Sequence, residues 1–145
     1  MAGVIDTNIL LYAANRSSRH HHAARKFLER AAVSADSWYL SDGIIYEFFR
    51  VATHPRVFDK PLRWEQAFNF LRPLIESSNF HLLGVADHHW ALLEQVLAKL
   101  NYPVGNLFFD IKTVVLMQQH GIREIYTADT DFLQFDEVDV VNPLG

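Results

Sequence analysis

The stretch Val4-Ile5-Asp6-Thr7-Asn8-Ile9-Leu10-Leu11 constrains this chain more than any other. Two β-branched apolar residues run directly into a carboxylate, and a helix-period apolar pattern (Ile9, Leu10, Tyr12, Ala13) starts straight after it. The pattern predicts a short buried strand ending at Asp6 and a helix opened by Thr7 or Asn8. In an open parallel α/β sheet, ligands bind beyond the carboxyl ends of the strands. A carboxylate held there, partly out of water, needs a partner. The rest of the chain has to supply one.

Strand and helix signals alternate from there on. A polar break at Asn15-Arg16-Ser17-Ser18 precedes a helix over 20–32 that opens on His20-His21-His22. Adjacent helical residues point about 100° apart, so three consecutive His do not chelate one metal comfortably, and the run reads as a solvent-facing helix start. Trp38-Tyr39-Leu40-Ser41 is a second strand, with Ser41 or Asp42 capping the helix after it. In that helix Ile44, Phe48 and Val51 form an apolar stripe, and Glu47 lies on the same face. Packing alone would not choose a carboxylate there; a Glu at the edge of the stripe, paired with Arg50, is the plainer alternative.

A helix over 64–78 follows, which Pro73 should kink or break. Phe80 to Val85 reads as a third strand with His81 partly buried, and Asp87 as the cap of a helix to about Leu100. The helix from Leu107 to about His120 repeats the anomaly of Glu47: Leu107, Asp110, Val114 and Met117 fall on one stripe, with an acid in the middle of an apolar face. Gly121 suits its C-cap. Glu124-Ile125-Tyr126-Thr127-Ala128-Asp129-Thr130-Asp131-Phe132 reads as strand, turn and short helix, so Asp129, like Asp6, arrives just past a strand end. Val138 to Val141 is a last strand.

Four carboxylates thus stand where packing would choose otherwise: Asp6 and Asp129 at strand ends, Glu47 and Asp110 on inward helix faces. If they converge, their repulsion in a desolvated pocket amounts to several kcal/mol. A divalent cation relieves it, and an all-oxygen carboxylate set suits Mg²⁺ or Mn²⁺. Zinc-thiolate sites, thiol chemistry and disulfides are excluded, because the chain has no cysteine. The net charge of −4 is uneven: residues 1–72 carry +3 and residues 73–145 carry −7. That split permits an anionic partner, with Arg16, Arg19, Arg25 and Lys26 as candidates to steer it. The 145 residues read as one domain with a real core. A cytoplasmic location is expected, since no leader precedes Asp6 and no apolar run reaches the roughly 18 residues that span a bilayer.

On these residues the sequence resembles the PIN-domain ribonucleases, specifically the VapC-type toxins of bacterial and archaeal toxin–antitoxin pairs. The resemblance rests on Val4-Ile5-Asp6-Thr7-Asn8, Glu47, Asp110 in Asn106-Leu107-Phe108-Phe109-Asp110-Ile111, and Thr127-Ala128-Asp129-Thr130-Asp131-Phe132. It implies an α/β fold, a three-layer α/β/α sandwich with a central parallel sheet. It also implies that Asp6, Glu47, Asp110 and Asp129 are the catalytic, metal-binding quartet, that Asn8 and Thr127 orient them, and that Asp131 is an auxiliary acid. The implied activity is Mg²⁺- or Mn²⁺-dependent endoribonuclease action: attack by metal-activated water on phosphorus, leaving a 5′ phosphate. The implied partners are RNA, a small antitoxin whose helix fills a hydrophobic groove, and a second copy in a homodimer. One departure stands out. The family follows its helix aspartate with small residues, whereas this chain has Ile111-Lys112-Thr113, with Lys112 expected at the solvent and binding of RNA phosphate as its less favoured alternative.

Two other functions fit parts of the pattern. A haloacid-dehalogenase-like phosphatase also opens on a strand-end Asp, but needs an acid two residues later, where this chain has Asn8. A binding module that keeps the fold without catalysis would have no use for four such acids.

Overall fold

The computed structural model describes residues 2–145. A five-stranded, all-parallel sheet lies at its centre in the order β3-β2-β1-β4-β5. The strands are β1 (Val4–Ile5), β2 (Trp38–Ser41), β3 (Phe80–Leu83), β4 (Glu124–Tyr126) and β5 (Asp139–Val141). The helices are α1 (Thr7–Ala14), α2 (His21–Val33), α3 (Asp42–Ala52), α4 (Trp64–Ile75), α5 (His89–Ala98) and α6 (Leu107–Gln119). They cover the sheet on both sides, which makes the expected three-layer α/β/α sandwich.

The shortest strand is the central one. Val4 is in register with Tyr39 of β2 and Ile125 of β4, and Asp6 N–H extends the β1–β4 ladder by donating to Tyr126 O at 3.0 Å. Gly3 is what lets β1 approach: a Cβ there would lie 1.9 Å from the carbonyl oxygen of Glu124. Val4, Ile5, Ile9, Leu10, Phe48, Ile111 and Ile125 are fully buried around this strand. The sheet order turns at β1: the chain builds outward to β2 and β3 on one side and returns to place β4 and β5 on the other. Such a switch point opens a crevice beyond the carboxyl ends of its two central strands. Here those ends carry Asp6 and the segment from Thr127 to Asp131.

Several local expectations change. Asp6 itself caps α1, its side chain accepting from Thr7 N–H, because a carboxylate at that position meets a free helix-end donor. The core stripe of α3 is Ile44, Phe48 and Ala52; Val51 is only half-buried and turns with Glu47 toward the crevice. Helix α4 accepts Pro73 near its end and stops at Ile75 rather than at 78, since a proline there removes only one bond from a closing helix. Strand β3 ends at Leu83 and lies at the sheet edge, where His81 and Leu82 are exposed. Asp87 does not cap α5, which begins at His89 without a side-chain cap. Gly121, at φ +70°, follows α6 as expected.

Candidate active site

The crevice beyond β1 and β4 is wired by a hydroxyl. Thr127 Oγ1 donates to Asp6 Oδ2 at 2.9 Å and accepts from Asp129 N–H at 3.0 Å and from the Asn8 amide at 3.0 Å. The Asn8 amide also reaches Asp6 Oδ2 at 3.3 Å, and its carbonyl accepts from Ala128 N–H at 3.3 Å. Asp6 Oδ1 takes Thr7 N–H at 2.8 Å. A hydroxyl has one proton and two lone pairs, so Thr127 has every capacity used, and both strand ends are fixed through it. Asp129 in turn caps a single 3₁₀ turn, Thr130–Gln134, by accepting from Asp131 N–H at 2.9 Å.

Helix α6 brings Asp110 against this network. Carboxylate oxygens of Asp110, Asp129 and Asp131 lie within 4.8 Å of one another. Burial, followed by the charges of Asp6, Asp129, Asp131 and Glu47, pushes the Asp110 carboxyl up to about 7. Burial is also the main cause at Asp6, raised to about 6 against the lowering bonds from Thr127 and Thr7, with Glu47 and Asp129 adding to the rise. Glu47 stands further out, half-buried, with an oxygen 3.8 Å from Arg50. The structure therefore brings all four acids of the expected quartet to one crevice. The tightest group, however, is Asp110 and Asp129 with Asp131, which the sequence had offered only as an auxiliary.

Asp6, Thr7, Glu47, Arg50, Phe109 and Asp110 line two adjoining clefts, of about 410 and 340 Å³. Thr7 adds a second kind of signal. Its hydroxyl is buried without a hydrogen-bond partner, a state that costs free energy unless something in the cleft engages it. The donor set is all oxygen, the acids repel one another, and a polar atom is left waiting. That combination fits a hard divalent cation.

Lys112 reaches the solvent as expected, with 36% of its side chain exposed. It is half-buried, lines the larger cleft, and its Nζ lies 3.0 Å from Asp42 Oδ1. The lysine bond holds the Asp42 carboxyl below its usual range. Tyr46, Asn106 and Phe109 border the clefts as well and were not singled out from the sequence. Asn106 could have been, because it lies four residues before Asp110, on the same side of the helix. The three His part company: His21 Nδ1 lies 3.2 Å from Tyr12 O, the His20 ring packs on Tyr12 at 4.8 Å, and His22 is exposed. Arg16 and Arg25 line a separate groove of about 650 Å³ with Lys60 and Phe70, away from the acids, while Arg19 and Lys26 are exposed.

Residues 3–138 match the family model of the PIN domain. The chain belongs to the PIN-domain family. This PIN domain is 29% identical over 145 residues to Ribonuclease VapC48 of Mycobacterium tuberculosis, which covers 100% of this chain and 99% of the relative. Among solved structures it superposes on VapBC2 from Rickettsia felis bound to a promoter DNA fragment, with a TM-score of 0.71, 16% identity and 98% of each chain covered. It also superposes on VapC20 of M. tuberculosis, described as a sarcin-ricin-loop-cleaving toxin, with a TM-score of 0.64, 18% identity and coverage of 94% and 98%. Among the described residues of the PIN domain, no helix is long and apolar enough to cross a membrane.

Proposed function

We propose that this protein is a metal-dependent endoribonuclease, the toxin of a toxin–antitoxin pair, acting as a single 145-residue domain in the cytoplasm. The observation that carries the reading is the gathering of Asp110, Asp129 and Asp131 oxygens within 4.8 Å, with Asp6 and Glu47 close enough to act on Asp110. The relatives bearing the name ribonuclease support the same reading.

In this proposal Asp6, Glu47, Asp110 and Asp129 hold Mg²⁺ or Mn²⁺, and Asp131 assists from the adjoining turn. When bound, such an ion lowers the pKa of water and neutralises charge developing on a phosphodiester. The protein's share is orientation. Thr127 and Asn8 fix Asp6 Oδ2 by donating to it, and Thr7 N–H fixes Oδ1, so the carboxylate presents one direction without reorganising. Asp129 is held by its turn. Asn8 neither gives nor takes a proton at neutral pH, so the general acid of a phosphoaspartate mechanism is missing, and the phosphatase alternative loses its second residue.

The proposed partners are RNA, a small antitoxin protein and a second copy of the chain. The exposed apolar side chains, Trp64, Leu82 and Trp90 among them, are in keeping with protein contacts; light scattering that gives a monomer at tens of micromolar would remove the dimer. The enzymatic proposal is tested by cleavage of a single-stranded RNA beside hydrolysis of a small phosphomonoester, each with Mg²⁺ or Mn²⁺. RNA cleavage that stops on chelation and in Asp110→Asn is expected. Efficient phosphomonoester turnover with RNA left whole would overturn the proposal.

A further inference from the structure

The larger of the two clefts continues past the acids, and its far side has a different character. Tyr46 and Phe109 line it while being 75% and 65% exposed. Tyr46 directly precedes Glu47 on α3, and Phe109 directly precedes Asp110 on α6, so each aromatic is carried on the backbone of an acid. Neither takes part in any ring contact among the described residues with a buried aromatic on the cleft side, Phe109 and Tyr46 being absent from the packed ring pairs of the core. Cations stand on the same wall. Lys112 Nζ gives one of its three protons to Asp42, which leaves two, and Arg50 borders both clefts. The lining of these clefts therefore combines carboxylates, two exposed aromatic side chains and two cations, Arg50 3.8 Å from Glu47 and Lys112 3.0 Å from Asp42.

That combination selects a ligand. An unpaired polynucleotide alternates a phosphate with a base whose faces are free, and aromatic side chains bind such faces while basic ones follow the backbone. A duplex keeps its bases stacked inside and offers neither face. An apolar peptide would have no use for Lys112 and Arg50. At about 410 Å³ the cleft is within the size range of small-ligand sites.

We propose that Tyr46 and Phe109 form a stacking platform for one unpaired base next to the bond to be cut, with Lys112 holding the adjoining phosphate. The proposal rests on the ribonuclease reading. Both aromatics are mostly exposed, so their removal leaves the core untouched.

The test is anisotropy of a fluorescent single-stranded RNA with Asp110→Asn protein in Mg²⁺, the same RNA being made with one abasic ribonucleotide at successive positions. Tyr46→Ala and Phe109→Ala should each weaken binding about tenfold, the loss of a stacked base. One abasic position should cost about as much in the parent and little in the Tyr46→Ala/Phe109→Ala protein, whereas Tyr46→Trp should keep the parent's affinity. Lys112→Ala should weaken every RNA alike and flatten the salt dependence. Binding that is equal with and without the two aromatics, including none measurable in either, overturns the platform. So does tight binding of duplex, or loss in Tyr46→Ala/Phe109→Ala of a protein partner alone. A wild-type protein that shows the base-dependent binding yet cuts no RNA would refute the ribonuclease reading and leave the platform standing.

Discussion

Asp110→Asn is the most informative single change in this protein. The Asp110 carboxyl sits at about 7 instead of 3.8, first through burial and then through four neighbouring carboxylates. In the unfolded chain the group ionises near its ordinary value, while the metal-free fold retains its proton. The stabilising contribution of that proton is therefore complete below about pH 4 and is lost as the pH rises toward 7. A shift of about three pH units corresponds to about 4 kcal/mol. The side chain is only half-buried, and water screening takes about half of that away, leaving about 2 kcal/mol. Asn has the same shape and no charge. Without metal at pH 8, the variant should melt about 6 °C above the wild type, from the usual relation for a domain of this size. The gap should close toward pH 4. Added Mn²⁺ should raise the wild type much more than the variant, because one ligand and one repelling charge have gone together. Thermal melts followed by circular dichroism across that pH range, with chelator and with Mn²⁺, measure all three. A gap that does not vary with pH, or a Mn²⁺ stabilisation of wild-type size in Asp110→Asn, would refute the reasoning.

Three further changes probe the surroundings. Asn8→Asp replaces a donor 3.3 Å from Asp6 Oδ2 with another carboxylate; RNA cleavage should fall and no phosphomonoester hydrolysis should appear, as paired assays would record. Thr7→Val deletes the unpartnered hydroxyl, so the metal-free protein should hold or gain about 1 kcal/mol in urea unfolding while RNA cleavage declines. Gly3→Ala drives a methyl group into Glu124 O; the urea midpoint should drop by the equivalent of more than about 2 kcal/mol, and an unchanged midpoint would mean the β1–β4 approach is looser than the structure has it.

The parts of the fold written in local pattern were readable in the sequence. The five strands and the long helices follow from periodicity, and Asp6 and Asp110 stood out because each interrupts an apolar run that had no packing reason for a charge. What the sequence did not yield depends on distance along the chain. Lys112 pairs with Asp42, seventy residues away, and no local rule joins them. His81 was read as partly buried because its strand pattern is apolar, but β3 ends the sheet, and edge position is a property of topology. On α3 the stripe from Ile44 closes on Ala52 rather than Val51, since a small residue at the tightest contact carries little weight in a hydrophobic pattern. The same shift turns Val51 and Glu47 together toward the cleft.

The position of β1 also sets how late in the chain the acid cluster can be completed. Its left-hand neighbour, β2, is made soon after it, but the right-hand neighbour and both aspartates of the Thr127 loop come more than a hundred residues later; the bond from Thr127 to Asp6 spans 121. A chain cut after α6 contains Asp6, Glu47 and Asp110, yet Asp6 then lacks the hydroxyl that aims it and Asp110 lacks the neighbours that crowd it. No partial product of translation assembles the cluster. The cluster of Asp110, Asp129 and Asp131 is complete only once β4 and the turn behind it are present.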